Sequence, residues 1–388
     1  MSETTSRHAL VIGASGLAGW AVVNEILKEY PTKGTFAKVT AVVNRPLSIA
    51  RARWPTASNV QIQLVSGVNL TAGSLKDTVT QLRDKIPDLE TVTHLYHFAY
   101  QQMDNPAEEV QTNLSMLERV VTALTTYATR LEFVVVPSGS RAYGIYSSDR
   151  CFTAPFKESM GRIPEPERSK IHYYLVQDYL ARASEQQRWT WCEVRPDAII
   201  GFTPNGSTFS LAAHWFNYLS IYAAVEGKGA KVPYPGIEKA YHSLFNGVSS
   251  DMIARFSIWA SLHPEKTGNG EIYNIVDQTR PLSMKTHWPA IAGFFGLEGT
   301  GPTENQDPIL LRPTEYMEKH QDKVPGGGAS KLWKASWLDE YGHWTSFDRQ
   351  FCADKIRSVG FVEERDANSS WVDTFALLKA TQEDAAEN

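Results

Sequence analysis

His8-Ala9-Leu10-Val11-Ile12-Gly13-Ala14-Ser15-Gly16-Leu17-Ala18-Gly19 is the stretch on which the fold turns. A short apolar run suited to a buried strand ends in glycines spaced GxxGxxG, and helical periodicity begins at Leu17. Gly13 permits a tight turn, Gly16 lets the backbone approach a pyrophosphate, and Gly19 lets the following helix pack closely on the strand. The first amides of that helix, at the positive end of its dipole, then face the phosphates. Glycines are common in loops, but strand, glycine turn and helix in this order are specific to dinucleotide binding.

The same alternation continues outward from this stretch. Further strand candidates are Lys38–Val43, Val60–Val65, Val92–Phe98, Leu131–Pro137 and Thr190–Arg195. Helical patterns cover Leu17–Tyr30, Ser74–Ile86, Ala107–Thr129 and Ser169–Arg188. Near-continuous apolar runs, such as Val134-Val135-Val136, suit strands covered on both faces. The pattern predicts an α/β fold, a Rossmann-type doubly wound parallel sheet over residues 1–201. Residues 202–388 are richer in proline, glycine and aromatics and predict a smaller, mixed, substrate-binding cap, with segments interleaved into the first domain. Trp215, Trp259, Trp288, Trp333, Trp337, Trp344 and Trp371 all fall there, as packing or as the wall of an apolar pocket. Pro325-Gly326-Gly327-Gly328 has the composition of a mobile loop.

A chain of 388 residues with 42% hydrophobic content can bury a large core, and a net charge of −5 with no basic run argues against nucleic acid and anionic membranes. No stretch is apolar and long enough to span a bilayer, and the opening residues lack a secretory pattern. Three cysteines, Cys151, Cys192 and Cys352, form no CxxC pair, so a reducing, cytoplasmic setting is expected. The histidines show no HExxH spacing, which argues against a metal site, and GxSxG is absent, which argues against a serine hydrolase.

The second strand ends Val43-Asn44-Arg45, without the acidic residue that holds the ribose hydroxyls of NAD. Arg45, followed by Arg51 and Arg53, suits a 2′-phosphate, and NADP(H) is the expected cofactor. A short-chain dehydrogenase would place a lysine four residues after its tyrosine, on the same helix face. Here Tyr174 is followed at that distance by Asp178 and Tyr173 by Gln177, so any supporting positive charge comes from elsewhere. Ser138-Gly139-Ser140-Arg141-Ala142-Tyr143, after the strand ending at Pro137, supplies one at a strand's carboxyl end. His97, at the end of a strand, is expected to be a satisfied core residue, and His172 to lie on a helix surface.

Several of these segments resemble the progesterone 5β-reductase and iridoid synthase family, an atypical branch of the extended short-chain dehydrogenases. SGSRAY at 138–143 matches its TGxKxY loop, YYLVQD at 173–178 its YYxxxD element, and RPDAIIGFTP at 195–204 its RPxxIxGFSP segment. Tyr234-Pro235-Gly236, IWAS at 258–261 and EIYNI at 271–275 extend the resemblance over nearly the whole chain. It implies an NADPH-dependent enone or ketone reductase acting on a hydrophobic small molecule, with Tyr174 as the catalytic tyrosine and Arg141 in place of the catalytic lysine. It also implies cofactor contacts from Ser15, Leu17, Asn44, Arg45, Asn69, Leu70 and Ala99, with Ile199, Ser207 and Thr208 near the nicotinamide. Asn44 and Asn69 depart from the family's arginine and aspartate, which implies weaker cofactor affinity. Arginine at 141 keeps the charge in a bulkier, forked group, so a redox-neutral cyclase or isomerase is the alternative. A homodimer stays open.

Overall fold

The computed structural model describes residues 6–147, 149–303, 312–323 and 335–387; the Pro325–Gly328 segment and Trp333 lie outside them. All six expected strands form: β1 (His8–Ile12), β2 (Lys38–Val42), β3 (Gln61–Val65), β4 (His94–His97), β5 (Phe133–Pro137) and β6 (Thr190–Arg195). Three short strands follow, β7 (Ile199–Ile200), β8 (Lys231–Pro233) and β9 (Val248–Ser249), and then β10 (Glu271–Asn274) and β11 (Glu298–Thr300). The main sheet is parallel throughout, in the order β10-β6-β5-β4-β1-β2-β3. Strand order reverses between β1 and β4, and ligands of such sheets bind in the crevice that this opens at the carboxyl ends.

Alternation along each strand feeds two cores, as expected for a sheet buried on both faces. Ala9, Val11, Val39, Phe133, Val135 and Val194 lie on the face to which α1 (Leu17–Leu27) belongs, while Leu10, Ile12, Leu95, Val134 and Val136 face the opposite side. There they meet α3 (Leu75–Lys85), α4 (Pro106–Tyr127) and α5 (Tyr173–Ser184); α2 (Ile49–Ala52) is a single turn. The first helix stops earlier than its periodicity suggests, because Glu29 adopts φ 62° and Pro31 follows. The fifth starts later, at Tyr173, because Arg168–Lys170 forms a 3-10 turn and Ile171 is extended.

Beyond β7 the chain builds α6 (Leu211–Glu226) and α7 (Glu238–His242), around which a separate aromatic core forms. Trp215 stacks on Trp371 at 5.1 Å and meets Trp288 edge-on at 5.3 Å, while Trp288 donates to the Val232 carbonyl. These three tryptophans are packing residues. The chain then re-enters the nucleotide-binding half: α8 (Ser250–Ser261) lies against α1, and β10 completes the sheet beside β6. Buried Asp277 ties this return together, accepting from the Ser249 amide and hydroxyl and from Ser370 on the final helix, Ala367–Glu387. Among the described residues no helix is long and apolar enough to cross a membrane.

Burial holds the imidazoles of His8, His94, His97 and His172 neutral, with pKa values lowered to about 4, 3, 4 and 3. In the unfolded chain these groups titrate near 6.5, so below that pH the unfolded state binds more protons than the folded one. Stability should therefore fall steadily as pH drops from about 6.5 towards 4, and these groups should contribute no slope above that window. Denaturant midpoints at about pH 7 and about pH 5 test this, and equal midpoints would contradict it.

Candidate active site

The glycines of the first turn act as the spacing suggests. Gly13 has φ +82°, and a β-carbon there would lie 2.7 Å from the Ala99 amide nitrogen. At Gly19 a β-carbon would lie 2.3 Å from the Gly13 carbonyl oxygen, so only glycine lets α1 approach β1 this closely. Gly16 caps α1 with no side-chain bond and no acidic residue in the first turn, leaving its amides to an anion. Ser15 and Leu17 are half-buried beside this turn, and Ala99 abuts it from the end of β4.

The other cofactor candidates ring the same edge of the sheet. Asn44 and Arg45 are exposed just beyond β2; Asn69 and Leu70 follow β3. The Asn69 Oδ1 accepts from the Thr71 amide at 2.9 Å and hydroxyl at 2.8 Å, so towards a base this side chain offers its NH2 group. Arg45 donates to the carbonyls of Asn205 and Gly206 at 3.4 and 3.2 Å, which draws the loop carrying Ser207 and Thr208 across to β2. Ile199 is half-buried at the start of β7. Arg53 reaches away from this edge to the Ala380 carbonyl. A cradle that a β-carbon would fill, uncapped helix amides and an arginine at the far strand fit an extended dinucleotide.

Two serines hold the loop after β5 from behind. Ser138 donates to the Glu193 carboxylate, and Ser140 donates to Asp197 at 2.7 Å. Between them Gly139 is closely approached: a β-carbon placed on it would lie 3.2 Å from the Tyr173 hydroxyl oxygen and 3.6 Å from the Pro196 carbonyl oxygen. The loop's backbone is pinned to β6 and its continuation, Ser138 N to Val194 O at 2.9 Å and Ser140 N to Pro196 O at 3.0 Å.

This geometry sets the paired tyrosines, of which Tyr174 is the expected catalytic one, in different surroundings. Tyr174 is 5% exposed, and its hydroxyl is already committed, donating to the Ala142 carbonyl at 2.9 Å and accepting from the Ile163 amide at 3.3 Å. Successive helix residues point about 100° apart, and the two hydroxyls meet this loop at different places, Tyr174 at the Ala142 carbonyl and Tyr173 beside Gly139. Gln177, one turn on, bonds the Glu193 carboxylate at 2.6 Å, and Asp178 pairs with Arg162.

Arg141 is near this site but is held to one side. Its guanidinium donates to Glu109 at 2.9 Å and to the Lys170 carbonyl at 2.9 Å. Burial pushes the Tyr173 hydroxyl pKa well up despite the opposing field of Arg141, so the phenol is protonated at neutral pH.

The expectation for His172 fails, and that for His97 holds only in part. His172 is buried rather than on a helix surface, lying edge-on to Tyr173 at 4.6 Å and stacked on Tyr100 at 5.7 Å. His97 is also buried, but its Nε2 has no hydrogen-bond partner, and neither has His172 Nδ1. Periodicity could not show this, because the burial comes from Tyr100, which lies on another segment. From Tyr100 an aromatic row continues through Phe209 at 5.6 Å to Trp337 at 5.5 Å. Tyr100 and Trp337 are 43% and 42% exposed, so the row presents aromatic surface beside the Tyr173 hydroxyl. No cluster of metal-ligating side chains occurs among the described residues.

A family model described as a PRISE-like Rossmann-fold domain matches residues 9–382, and the chain belongs to that family of short-chain dehydrogenase-type enzymes. The short chain dehydrogenase ausT of Aspergillus calidoustus is 32% identical over 97% of this chain and 93% of its own length. A 3-oxo-Delta(4,5)-steroid 5-beta-reductase of Arabidopsis thaliana is 26% identical, over 97% of this chain and 94% of its own. An (S)-8-oxocitronellyl enol synthase of Catharanthus roseus is 24% identical, over 94% and 89%. Among solved structures, the GDP-mannoheptose C4 reductase of Campylobacter jejuni with NADP bound superposes with a TM-score of 0.60 at 12% identity, covering 97% of this chain and all 100% of that one. The Bordetella bronchiseptica enzyme WbmH in complex with NAD+ gives 0.57 at 14%, covering 96% and 98%. At such identities these two speak for the fold alone.

Removing the Tyr174 hydroxyl should leave the Ile163 amide and the Ala142 carbonyl short of a partner. Tyr174→Phe is expected to lose about 1–3 kcal/mol of stability, with cofactor binding unchanged. Chemical denaturation and cofactor titration measure both; unaltered stability would contradict this.

Proposed function

We propose that this enzyme is an NADP-dependent reductase of an enone or ketone on a hydrophobic small molecule, of the kind made in natural-product biosynthesis. The observation that carries the reading is the Tyr173 hydroxyl, set close against Gly139 on the same sheet edge as the glycine cradle. Gly13, Gly16, Gly19 and the first amides of α1 bind the pyrophosphate, and Arg45 exchanges its two backbone carbonyls for a 2′-phosphate. A reduced nicotinamide bound there supplies hydride. Tyr173 donates a hydrogen bond to the substrate carbonyl, whose oxygen gains charge as hydride adds to the β-carbon of an enone and the π electrons move to oxygen. A proton from solvent at the α-carbon completes the saturated product. The row of Tyr100, Phe209 and Trp337 packs the apolar part of the substrate and excludes water.

A redox-neutral reading, cyclisation or isomerisation on the same scaffold, is favoured by one observation. Arg141 is paired with Glu109 and is not a free cation, so support for a hydride-generated enolate is weaker than a lysine would give. Incubation with NADPH and a panel of enones, enals and ketones separates the two. Falling NADPH absorbance with a product carrying two more hydrogens supports reduction; steady absorbance with an isomeric product supports the redox-neutral reading.

Loss of the Tyr173 donor should lower turnover about 100- to 1,000-fold in Tyr173→Phe, with NADPH affinity intact. Undiminished turnover would remove Tyr173 from the chemistry. Arg45→Ala should weaken NADPH binding roughly 10- to 100-fold and leave NADH binding unchanged, the loss of charge-assisted bonds to one phosphate. Equal losses for both nucleotides would reject the 2′-phosphate assignment.

A further inference from the structure

Glu109 is a buried carboxylate beside this site to which the proposed reduction assigns no role. It lies in the first turn of α4, where acidic residues are favoured by the helix dipole, and Glu108 beside it meets that preference from an exposed position. Glu109 instead turns inward and is 6% exposed, where an unpaired carboxylate would cost several kcal/mol. Its Oε1 accepts from Arg141 at 2.9 Å and its Oε2 from the Met103 amide at 3.4 Å. The other arm of Arg141 donates to the carbonyl of Lys170, at the entry to the turn that delivers His172 and Tyr173. One buried carboxylate thus anchors a guanidinium that braces the entry to α5.

Charged and titratable groups approach Tyr173 from every side. Tyr100 comes from the segment after β4, Arg141 and Tyr146 from the loop after β5, and Glu193 and Arg195 from β6, while Glu109 on α4 stands behind Arg141 and Tyr100. His172 precedes it on the chain and is held neutral by burial. Glu193 and Arg195 form a closed ion pair at 2.6 Å, and Glu109 and Arg141 form a second. Each of the two cations near this hydroxyl is thus held by a buried carboxylate.

We propose that Glu109 is a positioning residue of this site: its carboxylate holds and neutralises the Arg141 guanidinium, and so fixes both the place and the electrostatic surroundings of the Tyr173 hydroxyl. The proposal rests on the reading of Tyr173 as the partner of the substrate carbonyl. Its physical content is specific. Glutamine at 109 keeps the shape and an acceptor for Arg141 but removes the compensating charge. The guanidinium, whose field already favours the phenolate, then acts without its counter-charge.

The test is a spectroscopic titration of tyrosinate absorbance in the cofactor-free enzyme. Glu109→Gln should show a tyrosine midpoint lower than in the wild type by about one pH unit or more, the shift expected of an opposite charge at this range. That component should vanish in Glu109→Gln/Tyr173→Phe and return towards the wild-type value in Glu109→Gln/Arg141→Gln. The alkaline limb of turnover should move down in parallel. A carboxylate that served only as a spacer would leave titration and pH profile unmoved in Glu109→Gln, and that result overturns the proposal. If the single variant does not fold, Glu109→Gln/Arg141→Lys against Glu109→Gln/Arg141→Gln asks the same question, and equal midpoints again overturn it. The titration needs no substrate, so a wild-type enzyme inert towards enones and ketones would count against the proposed reaction and leave this test standing.

Discussion

Everything at the candidate site is arranged around one buried carboxylate. Glu193, with a side-chain exposure of 1%, receives the guanidinium of Arg195 from its own strand, the hydroxyl of Ser138 from the loop after β5, and the amide of Gln177 from α5. Strand, loop and helix are therefore locked to a single point beneath the surface that faces substrate. Removing either member of such a pair leaves a buried charge uncompensated, at about 3–5 kcal/mol. Gln177 occupies the place where a short-chain dehydrogenase would carry its lysine, and it turns to Glu193 rather than to the ribose. The pattern of an active-site pair thus survives as a structural tie.

A second buried ion pair couples the cap to the same loop. Arg349 donates to Asp197 at 3.0 Å and to the Tyr341 hydroxyl at 2.6 Å, and its guanidinium lies 4.3 Å from the centre of the Phe245 ring. Asp197 in turn accepts from Ser140. Tyr143, at the other end of the loop, bonds Asn274 on β10, and Arg195 covers its ring. The segments that carry the family resemblance, SGSRAY, YYLVQD, RPDAIIGFTP and EIYNI, meet here because each supplies at least one partner to this buried network. The aromatic row by contrast is half open to solvent, a division between a fixed chemical centre and a more adaptable wall.

The nucleotide half was legible because its signals are local. Strand runs, helix periodicity and a glycine turn each occupy a dozen residues, and both β1 and β6 end where the apolar pattern says they should. What stayed hidden depends on contacts between distant segments. Interleaving of the two parts is expected from the sequence, but no local rule picks α8 and β10 as the segments that rejoin the sheet, since their partners lie on α1 and β6. The burial of His172 depends on Tyr100, and the tether on Arg141 depends on Glu109. The two adjacent tyrosines are chemically alike, so which of them lies beside Gly139 follows from where the preceding 3-10 turn ends and α5 begins.

The return of β10 also has a consequence for how the chain is made. β6 pairs with it across a stretch that includes α6 and the short strands of the cap, for example Cys192 with Glu271. On a ribosome, β1 to β6 emerge and can assemble well before β10 is synthesised. During that interval β6 is an edge strand with unpaired amides and carbonyls, the kind of edge on which nascent chains associate wrongly. Closing it is a non-local step of high sequence separation and correspondingly slow. The last strand of the sheet is thus a natural checkpoint of biosynthesis, the moment at which a sticky intermediate becomes a finished molecule.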